Sequence, residues 1–106
     1  MTLYKIALIC EHGASTGLCA QKMIAAAKTM GVEAEIASYS VTQTDALVKK
    51  MDALLLGPQL SYRLEALKGS YPEQARKFAA INPMDFGMMD GAKILKDAMA
   101  LADKNR

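Results

Sequence analysis

The chain has 106 residues, which is enough for one domain with a modest hydrophobic core. Its 13 basic and 11 acidic residues give a formal net charge of +2, too balanced to indicate a surface for nucleic acid or an anionic membrane. No apolar run approaches the roughly 18 residues that a membrane span requires, and the N-terminus lacks the pattern of a signal peptide. Two cysteines make a poor disulfide framework, so we expect a soluble protein of a reducing cytoplasm.

Short apolar runs alternate with helical patterns along the whole chain. The runs predict strands at residues 6–9, 33–38, 52–56 and 78–81. The helical patterns predict helices at residues 16–30, 42–50, 59–68 and 90–102, with a further helical piece at 72–76. This alternation predicts an α/β fold: a single domain over residues 1–106, with an open four-stranded parallel sheet and helices on both faces.

Individual residues mark where these elements begin and end. Gly31 is expected to end the first helix, and either Thr42 or Thr44 to cap the second. The second strand is more polar than the others, which favours a place at the edge of the sheet. Asn82 ends the fourth strand, and a loop rich in Met and Asp is expected before the last helix. The predicted inward-facing residues of the first and last helices are Cys19, Met23, Ala26, Ala27, Met30, Ile94, Leu95, Ala98 and Leu101.

The carboxyl ends of the predicted strands gather polar and turn-forming residues. Under a parallel topology one edge of the sheet receives Cys10, Ser38-Tyr39-Ser40, Gly57-Pro58-Gln59 and Asn82-Pro83. Open parallel sheets bind their ligands at that edge. We therefore expect the functional site there, with Cys10 at its centre.

The segment after Cys10 has the features of an anion-binding loop. Gly13 permits a tight turn, and Ser15 or Thr16 can cap the helix that follows. Such a loop directs backbone N–H groups and the positive end of a helix towards one point, which favours a thiolate and a bound phosphate-like anion. The pattern therefore predicts covalent phosphoryl chemistry on Cys10. The predicted phosphoryl-binding loop consists of Glu11, His12, Gly13, Ala14, Ser15, Thr16 and Gly17.

Two kinds of phosphoryl chemistry fit such a loop. Low-molecular-weight tyrosine phosphatases place an arginine six positions after their cysteine, but here that position is Thr16, and no Arg or Lys lies between Cys10 and Lys22. Without a guanidinium group the transition state of hydrolysis is poorly stabilised. A loop that forms a thiophosphate but hydrolyses it slowly suits a phosphoryl carrier. A cysteine-dependent phosphatase-like hydrolase remains the weaker alternative.

Three segments together resemble a known family. They are Cys10-x-x-Gly13-x-Ser15-Thr16, Leu54-Leu55-Leu56-Gly57-Pro58-Gln59 and Gly87-Met88-Met89-Asp90-Gly91. In this order and spacing they resemble the enzyme IIB component of the lactose/cellobiose (chitobiose) family of the bacterial phosphoenolpyruvate-dependent sugar phosphotransferase system. The resemblance covers nearly the whole chain, and it implies a four-stranded parallel sheet and a phosphocysteine intermediate.

The resemblance also implies partners. Cys10 would accept a phosphoryl group from a phosphohistidine on a IIA protein and pass it to a β-linked disaccharide or related sugar bound by the membrane transporter IIC. It implies no cofactor, no metal and no nucleic acid, and a cytoplasmic chain recruited to the inner face of the membrane by IIC. The residues expected to shape the partner surface are Tyr39, Gly57, Pro58, Gln59, Met88 and Met89.

The loop departs from the family pattern, in which small and apolar residues usually follow the cysteine. Glu11 places a negative charge beside the thiolate and would oppose its formation, whereas a protonated His12 would offset that charge. Ala14 and Gly17 are further departures. These changes favour keeping a third hypothesis, in which the chain is a non-catalytic regulatory module with the same fold. Cys19, by contrast, lies on a predicted inward helix face and is expected to be a core residue.

Overall fold

The computed structural model describes residues 3–11 and 15–105, and of Ser15 the backbone alone. The strands within these residues are β1 (Leu3–Cys10), β2 (Glu33–Ser40), β3 (Ala53–Leu56) and β4 (Phe78–Ala80). Every pairing is parallel and the strand order is β2-β1-β3-β4. The predicted four-stranded parallel sheet is confirmed, as is the edge position of the second strand.

Helices connect these strands on both faces of the sheet. Within the same residues they are α1 (Ser15–Met30), α2 (Thr44–Leu47), α3 (Leu64–Ser70), α4 (Pro83–Gly87) and α5 (Gly91–Lys104). Segments of 3₁₀ helix precede α2, α3 and β4, at Val41–Gln43, Pro58–Arg63 and Pro72–Lys77. The two longer 3₁₀ segments begin with a proline, whose fixed φ suits the first helical position.

The alternation of side chains along the buried strands gives the sheet two apolar faces. On one face α1 and α5 pack against the sheet and each other, and on the other face lie α2 and α3. The first cluster contains Ile6, Leu8, Cys19, Ala20, Met23, Ala27, Ile36, Ala53, Leu55, Ile81, Ile94, Leu95 and Ala98. The second cluster contains Ala7, Ile9, Cys10, Leu47, Val48, Leu54, Leu56, Leu60, Leu67 and Phe78.

Gly31 ends α1 as predicted. Its φ of +71° lies in the left-handed region, which residues other than glycine rarely adopt. The N–H of Val32 then reaches back to the Ala27 carbonyl at 2.9 Å, which satisfies one of the free carbonyls at the helix end. This turn brings the chain directly into the edge strand β2.

The predicted start of the second helix is wrong. Ser40, rather than Thr42 or Thr44, is the capping residue: its side chain accepts the N–H of Thr42, and the Gln43 side chain accepts the N–H of Ser40. This capping box closes a 3₁₀ segment first, and α2 follows with only four residues. A consequence is that β2 runs on to Ser40, two residues beyond its predicted end.

The predicted loop after β4 is also wrong, because residues 83–87 form α4. Asn82 caps this helix, with its side-chain oxygen accepting the N–H groups of Met84 at 2.8 Å and Asp85 at 3.3 Å. One predicted inward-facing residue differs as well, because Met30 is 39% exposed. Leu101 is half-buried and packs against the first cluster as predicted, beside the fully buried Ala102.

Candidate active site

Cys10 is the last residue of β1 and lies at the carboxyl edge of the sheet. Strand pairing places it opposite Ser40, the last residue of β2. On the other side Leu56 ends β3 opposite Ile9, and the N–H of Gly57 extends the pairing by donating to the Ile9 carbonyl at 2.8 Å. The ends of both neighbouring strands therefore flank Cys10.

The side chain of Thr16 contacts the sulfur of Cys10. Thr16 Oγ1 donates a hydrogen bond to Cys10 Sγ at 3.3 Å, and it also lies 2.5 Å from Ser38 Oγ. Thr16 is fully buried, and 4% of Cys10 remains exposed. A hydrogen bond donated to sulfur favours the thiolate over the thiol, because the charged form is the better acceptor.

Ser40 fixes the backbone immediately after Cys10. Its hydroxyl donates to the carbonyl oxygen of Glu11 at 3.1 Å. Because a hydroxyl has one proton, the Ser40 oxygen accepts from Thr42, whose hydroxyl lies at 3.0 Å and whose N–H lies at 3.3 Å. The Glu11 side chain is exposed, so solvent and salt screen its charge.

Gly57 leaves space for the residues around Thr16. A Cβ at this position would lie 2.9 Å from Gln59 Oε1 and 3.3 Å from Thr16 Cγ2. The φ of Gly57 is −56°, which any residue can adopt, so a side chain here would act only through space, by displacing the flexible Gln59 amide and pressing on the Thr16 methyl group. Gln59 and Gly57 thus form the wall of the site on the β3 side.

The predicted phosphoryl-binding loop is described in part. Thr16 and Gly17 belong to the first turn of α1, which begins at Ser15, so the N–H groups of this turn have no acceptor within the helix. Thr16 contacts Cys10 directly, Gly17 is half-buried and Glu11 is exposed. Outside the described residues lie His12, Gly13 and Ala14.

The predicted partner surface divides into exposed and packed residues. Gln59 is exposed, and Met88 is 63% exposed. Gly57 is buried against Thr16. The half-buried members are Pro58, Tyr39, which packs against the second cluster, and Met89, which packs against the first. Gln59 and Met88 are thus the predicted residues best placed to touch another molecule.

Sequence reasoning placed Ser38 and Ser40 at this edge but assigned them no role in the site. The available signal was that two hydroxyl side chains, two residues apart, follow a predicted strand at the same carboxyl edge as Cys10. Exposed apolar side chains also lie in segments that follow strand ends: Leu18 at 49%, Tyr62 at 75% and Met84 at 71% exposure. The sequence suggested Met84 as part of a docking face and Tyr62 as a residue beside the pocket, but it gave no indication of Leu18.

Cys19 lies in the first cluster and is fully buried, as predicted. Burial raises the pKa of its thiol above the ordinary value of 9.0, which keeps it protonated and unreactive. Residues 3–11 and 15–105 contain no group of three or more His, Cys, Asp or Glu side chains suited to a metal ion. No helix in this part of the chain is long and apolar enough to cross a membrane.

These features define a class of site: a thiol at the carboxyl edge of a parallel sheet, beside the N-terminus of a long helix and hydrogen-bonded by a buried hydroxyl. Such a site suits a nucleophilic thiolate and an anionic group. Comparison with known proteins identifies the family. The family model described as the lactose/cellobiose-specific IIB subunit of the phosphotransferase system (PTS) matches residues 5–97.

Individual relatives agree with this match. The oligo-β-mannoside-specific EIIB component of the PTS of Bacillus subtilis (strain 168) is 35% identical over 97 residues, which cover 92% of this chain and 94% of the relative. The solution structure of a cellobiose-specific phosphotransferase IIB component from Borrelia burgdorferi has a TM-score of 0.81 and 27% identity, and covers 97% of this chain and 94% of its own.

The lactose-specific IIB component domain of Streptococcus pneumoniae shares the fold, with a TM-score of 0.80 at 16% identity, covering 93% of this chain and 97% of its own. The chain therefore belongs to the lactose/cellobiose-specific IIB family of the sugar phosphotransferase system. IIB components are phosphotransferase subunits in sugar transport.

Proposed function

We propose that this chain is a phosphoryl carrier, in which Cys10 accepts a phosphoryl group from a phosphohistidine of a IIA protein and passes it to a sugar bound by the transporter IIC. The observation that carries the proposal is the hydrogen bond from the buried Thr16 hydroxyl to Cys10 Sγ, at the start of α1. Family membership supports the roles of IIA and IIC.

The first turn of α1 suits the phosphoryl group itself. Its N–H groups, at Ser15, Thr16 and Gly17, have no acceptor within the helix, and the positive end of a 16-residue helix favours negative charge at this position. These amides would hold the equatorial phosphoryl oxygens while the Cys10 sulfur attacks in line. The predicted contacts of His12, Gly13 and Ala14 with those oxygens belong to the same proposal.

Both half-reactions are balanced transfers. In the first, the bond from sulfur to phosphorus forms and the bond from histidine nitrogen to phosphorus breaks, with its electron pair staying on nitrogen. In the second, the bond from sugar oxygen to phosphorus forms while the sugar hydroxyl gives its proton to a base or water in the complex with IIC, and the bond from sulfur to phosphorus breaks with its electron pair on sulfur, which leaves as a thiolate. A site that stabilises the thiolate therefore serves both steps, because the thiolate is the nucleophile of one and the leaving group of the other.

The exposed apolar side chains favour a protein partner at this edge. Tyr62 follows β3, Met84 and Met88 follow β4, and Leu18 lies near the start of α1, so all four lie in segments that leave the carboxyl ends of strands. Flexible methionines suit a face that must dock against two different proteins in turn. We include these residues with Gln59 in the proposed surface for IIA and IIC.

The relatives differ in the sugar after which they are named: oligo-β-mannoside, cellobiose and lactose. We propose a β-linked disaccharide or related sugar for this chain. Since IIC binds the sugar, the chain meets it only in the complex with IIC, which would also bring the chain to the inner face of the membrane.

The test is transfer of phosphate from phosphoenolpyruvate through the general phosphotransferase proteins and a IIA protein of the same family. The expected product is a phosphoprotein that resists hydroxylamine and is cleaved by iodine. Cys10→Ser should abolish the label, and the matched variant Cys19→Ser should retain it. Normal labelling of the Cys10→Ser protein would refute the proposal.

The same preparation separates the alternatives. A phosphatase would turn over an aryl phosphate continuously, and Cys10→Ser would stop it, whereas a carrier should hold its phosphoryl group until an acceptor arrives. A regulatory module would bind a IIA protein without acquiring label. The missing arginine argues against the phosphatase, and the screened position of the Glu11 side chain removes the main reason for the regulatory module.

A further inference from the structure

Ser38 lies on β2, two residues before its end, and its hydroxyl approaches the site from the sheet. Ser38 Oγ is 2.5 Å from Thr16 Oγ1, which in turn lies 3.3 Å from Cys10 Sγ. Thr16 is fully buried and Ser38 is half-buried. Three side chains from β2, α1 and β1 thus form a continuous series of hydrogen bonds that ends on the sulfur.

The orientation of the Thr16 hydroxyl decides how this series acts on sulfur. A hydroxyl has one proton, and Thr16 donates its proton to Cys10 Sγ. In that orientation the Thr16 oxygen is an acceptor at its short contact with Ser38 Oγ, and a proton donated by Ser38 satisfies it. A donating Ser38 then favours the orientation in which the Thr16 proton stays on sulfur.

We propose that Ser38 is a positioning residue, which holds the Thr16 hydroxyl with its proton on the Cys10 sulfur and so raises the share of Cys10 present as thiolate. Ser38 touches neither phosphoryl donor nor acceptor, and it acts through Thr16. A hydrogen bond that is oriented before the reaction stabilises a charged acceptor more than one that must reorient.

For phosphoryl transfer, this inference rests on the proposed function. The bond from sulfur to phosphorus breaks with its electron pair on Cys10, so a hydroxyl already directed at sulfur makes that sulfur a better leaving group. The same hydrogen bond also makes the Cys10 thiolate, once formed, a weaker nucleophile. Ser38→Ala should therefore slow transfer from the phosphoprotein to an acceptor more than it slows phosphorylation by IIA.

The test is a pH titration of Cys10 followed by NMR, using the ¹³C shift of its Cβ, which needs neither a phosphoryl donor nor access for a reagent. Ser38→Ala should move the midpoint to higher pH and lower the thiolate share at neutral pH by about threefold to tenfold, the size expected for loss of one neutral hydrogen bond that orients the Thr16 hydroxyl. Ser38→Thr keeps a hydroxyl at this position and should have the wild-type midpoint. Ser61 is an exposed serine in the segment after β3, and Ser61→Ala should also leave the midpoint unchanged.

A double-mutant cycle tests whether Ser38 acts through Thr16. In a Thr16→Val background, Ser38→Ala should shift the midpoint no further, and Thr16→Val alone gives the comparison if Ser38→Ala fails to fold. An unchanged midpoint in Ser38→Ala would overturn the proposal. So would an equal shift in Ser38→Thr, or a shift from Ser38→Ala that is just as large in the Thr16→Val background. None of these results depends on phosphorylation, so the Ser38 role and the carrier role fail separately.

Discussion

Substitution of Gly91 by alanine should destabilise the fold by separating its two longest helices. Gly91 is the first residue of α5, and a Cβ there would lie 2.5 Å from both the backbone carbon and the carbonyl oxygen of Lys22 in α1. Ordinary contacts between carbon atoms are about 3.5–4.0 Å, so the helices would have to move apart by about 1 Å. The obstacle is backbone, which cannot turn aside as a side chain can.

The expected cost follows from what that movement disrupts. α1 and α5 pack together over the first cluster, where overpacking costs about 1–3 kcal/mol. The gain from replacing glycine in a helix is at most about 1 kcal/mol and is smaller at a first position. We expect Gly91→Ala to lose about 2 kcal/mol, which for a domain of this size lowers the melting temperature by about 8–15 °C.

Urea unfolding and calorimetry measure this loss, and Gly69→Ala is the matched control. Gly69 lies in α3, and a Cβ there would meet no atom within 4 Å. Gly69→Ala should therefore be neutral or stabilise the protein by up to about 1 kcal/mol. If Gly91→Ala proved as stable as Gly69→Ala, the close packing of α5 on the backbone of α1 would be wrong.

Three further substitutions test other parts of the account. Glu11→Gln should change the rate of phosphorylation of Cys10 by less than about fivefold at physiological salt, because the Glu11 side chain is exposed; a larger gain would show that its charge acts on the sulfur. Asn82→Ala should cost about 1 kcal/mol in urea unfolding and speed hydrogen exchange at the N–H groups of Met84 and Asp85, while Asn82→Asp should keep the cap; equal exchange in wild type and Asn82→Ala would contradict it. Burial raises the pKa of Cys19 above 9.0, so the stability that its neutral thiol contributes is complete below about pH 9 and is lost as pH rises through the folded-state pKa. The urea midpoint of Cys19→Ala should therefore fall less steeply at alkaline pH than that of the wild type. An equally steep fall would count against this role.

The sheet could be predicted because the local sequence of each buried strand indicates a strand. Leu54 to Leu56 form a continuous apolar run that Gly57 and Pro58 end, as a strand covered on both faces requires. The same local signal placed Cys10 at the carboxyl edge. The family resemblance, drawn from three short segments, was confirmed by the match over residues 5–97.

The parts that could not be predicted depend on contacts between distant segments. Ser38 is 22 positions from Thr16, and nothing in either segment alone shows that their hydroxyls meet. The local sequence also does not show that position 91 needs glycine, because that need comes from the close approach of the α1 backbone at Lys22. The cap of the second helix was predicted wrongly because Ser40, Thr42 and Thr44 are all suitable capping residues. Ser40 is the cap because it forms a capping box with Gln43.

The most direct test of the carrier role is to locate the phosphoryl group. The phosphoprotein made with phosphoenolpyruvate and a IIA protein is digested under conditions that preserve thiophosphates, and its peptides are analysed by mass spectrometry. A phosphoryl carrier that acts through Cys10 should show the added mass of one phosphoryl group on Cys10, with Cys19 and the hydroxyl residues unmodified. A phosphoryl group found on Ser15, Thr16 or His12, with Cys10 still a free thiol, would contradict it.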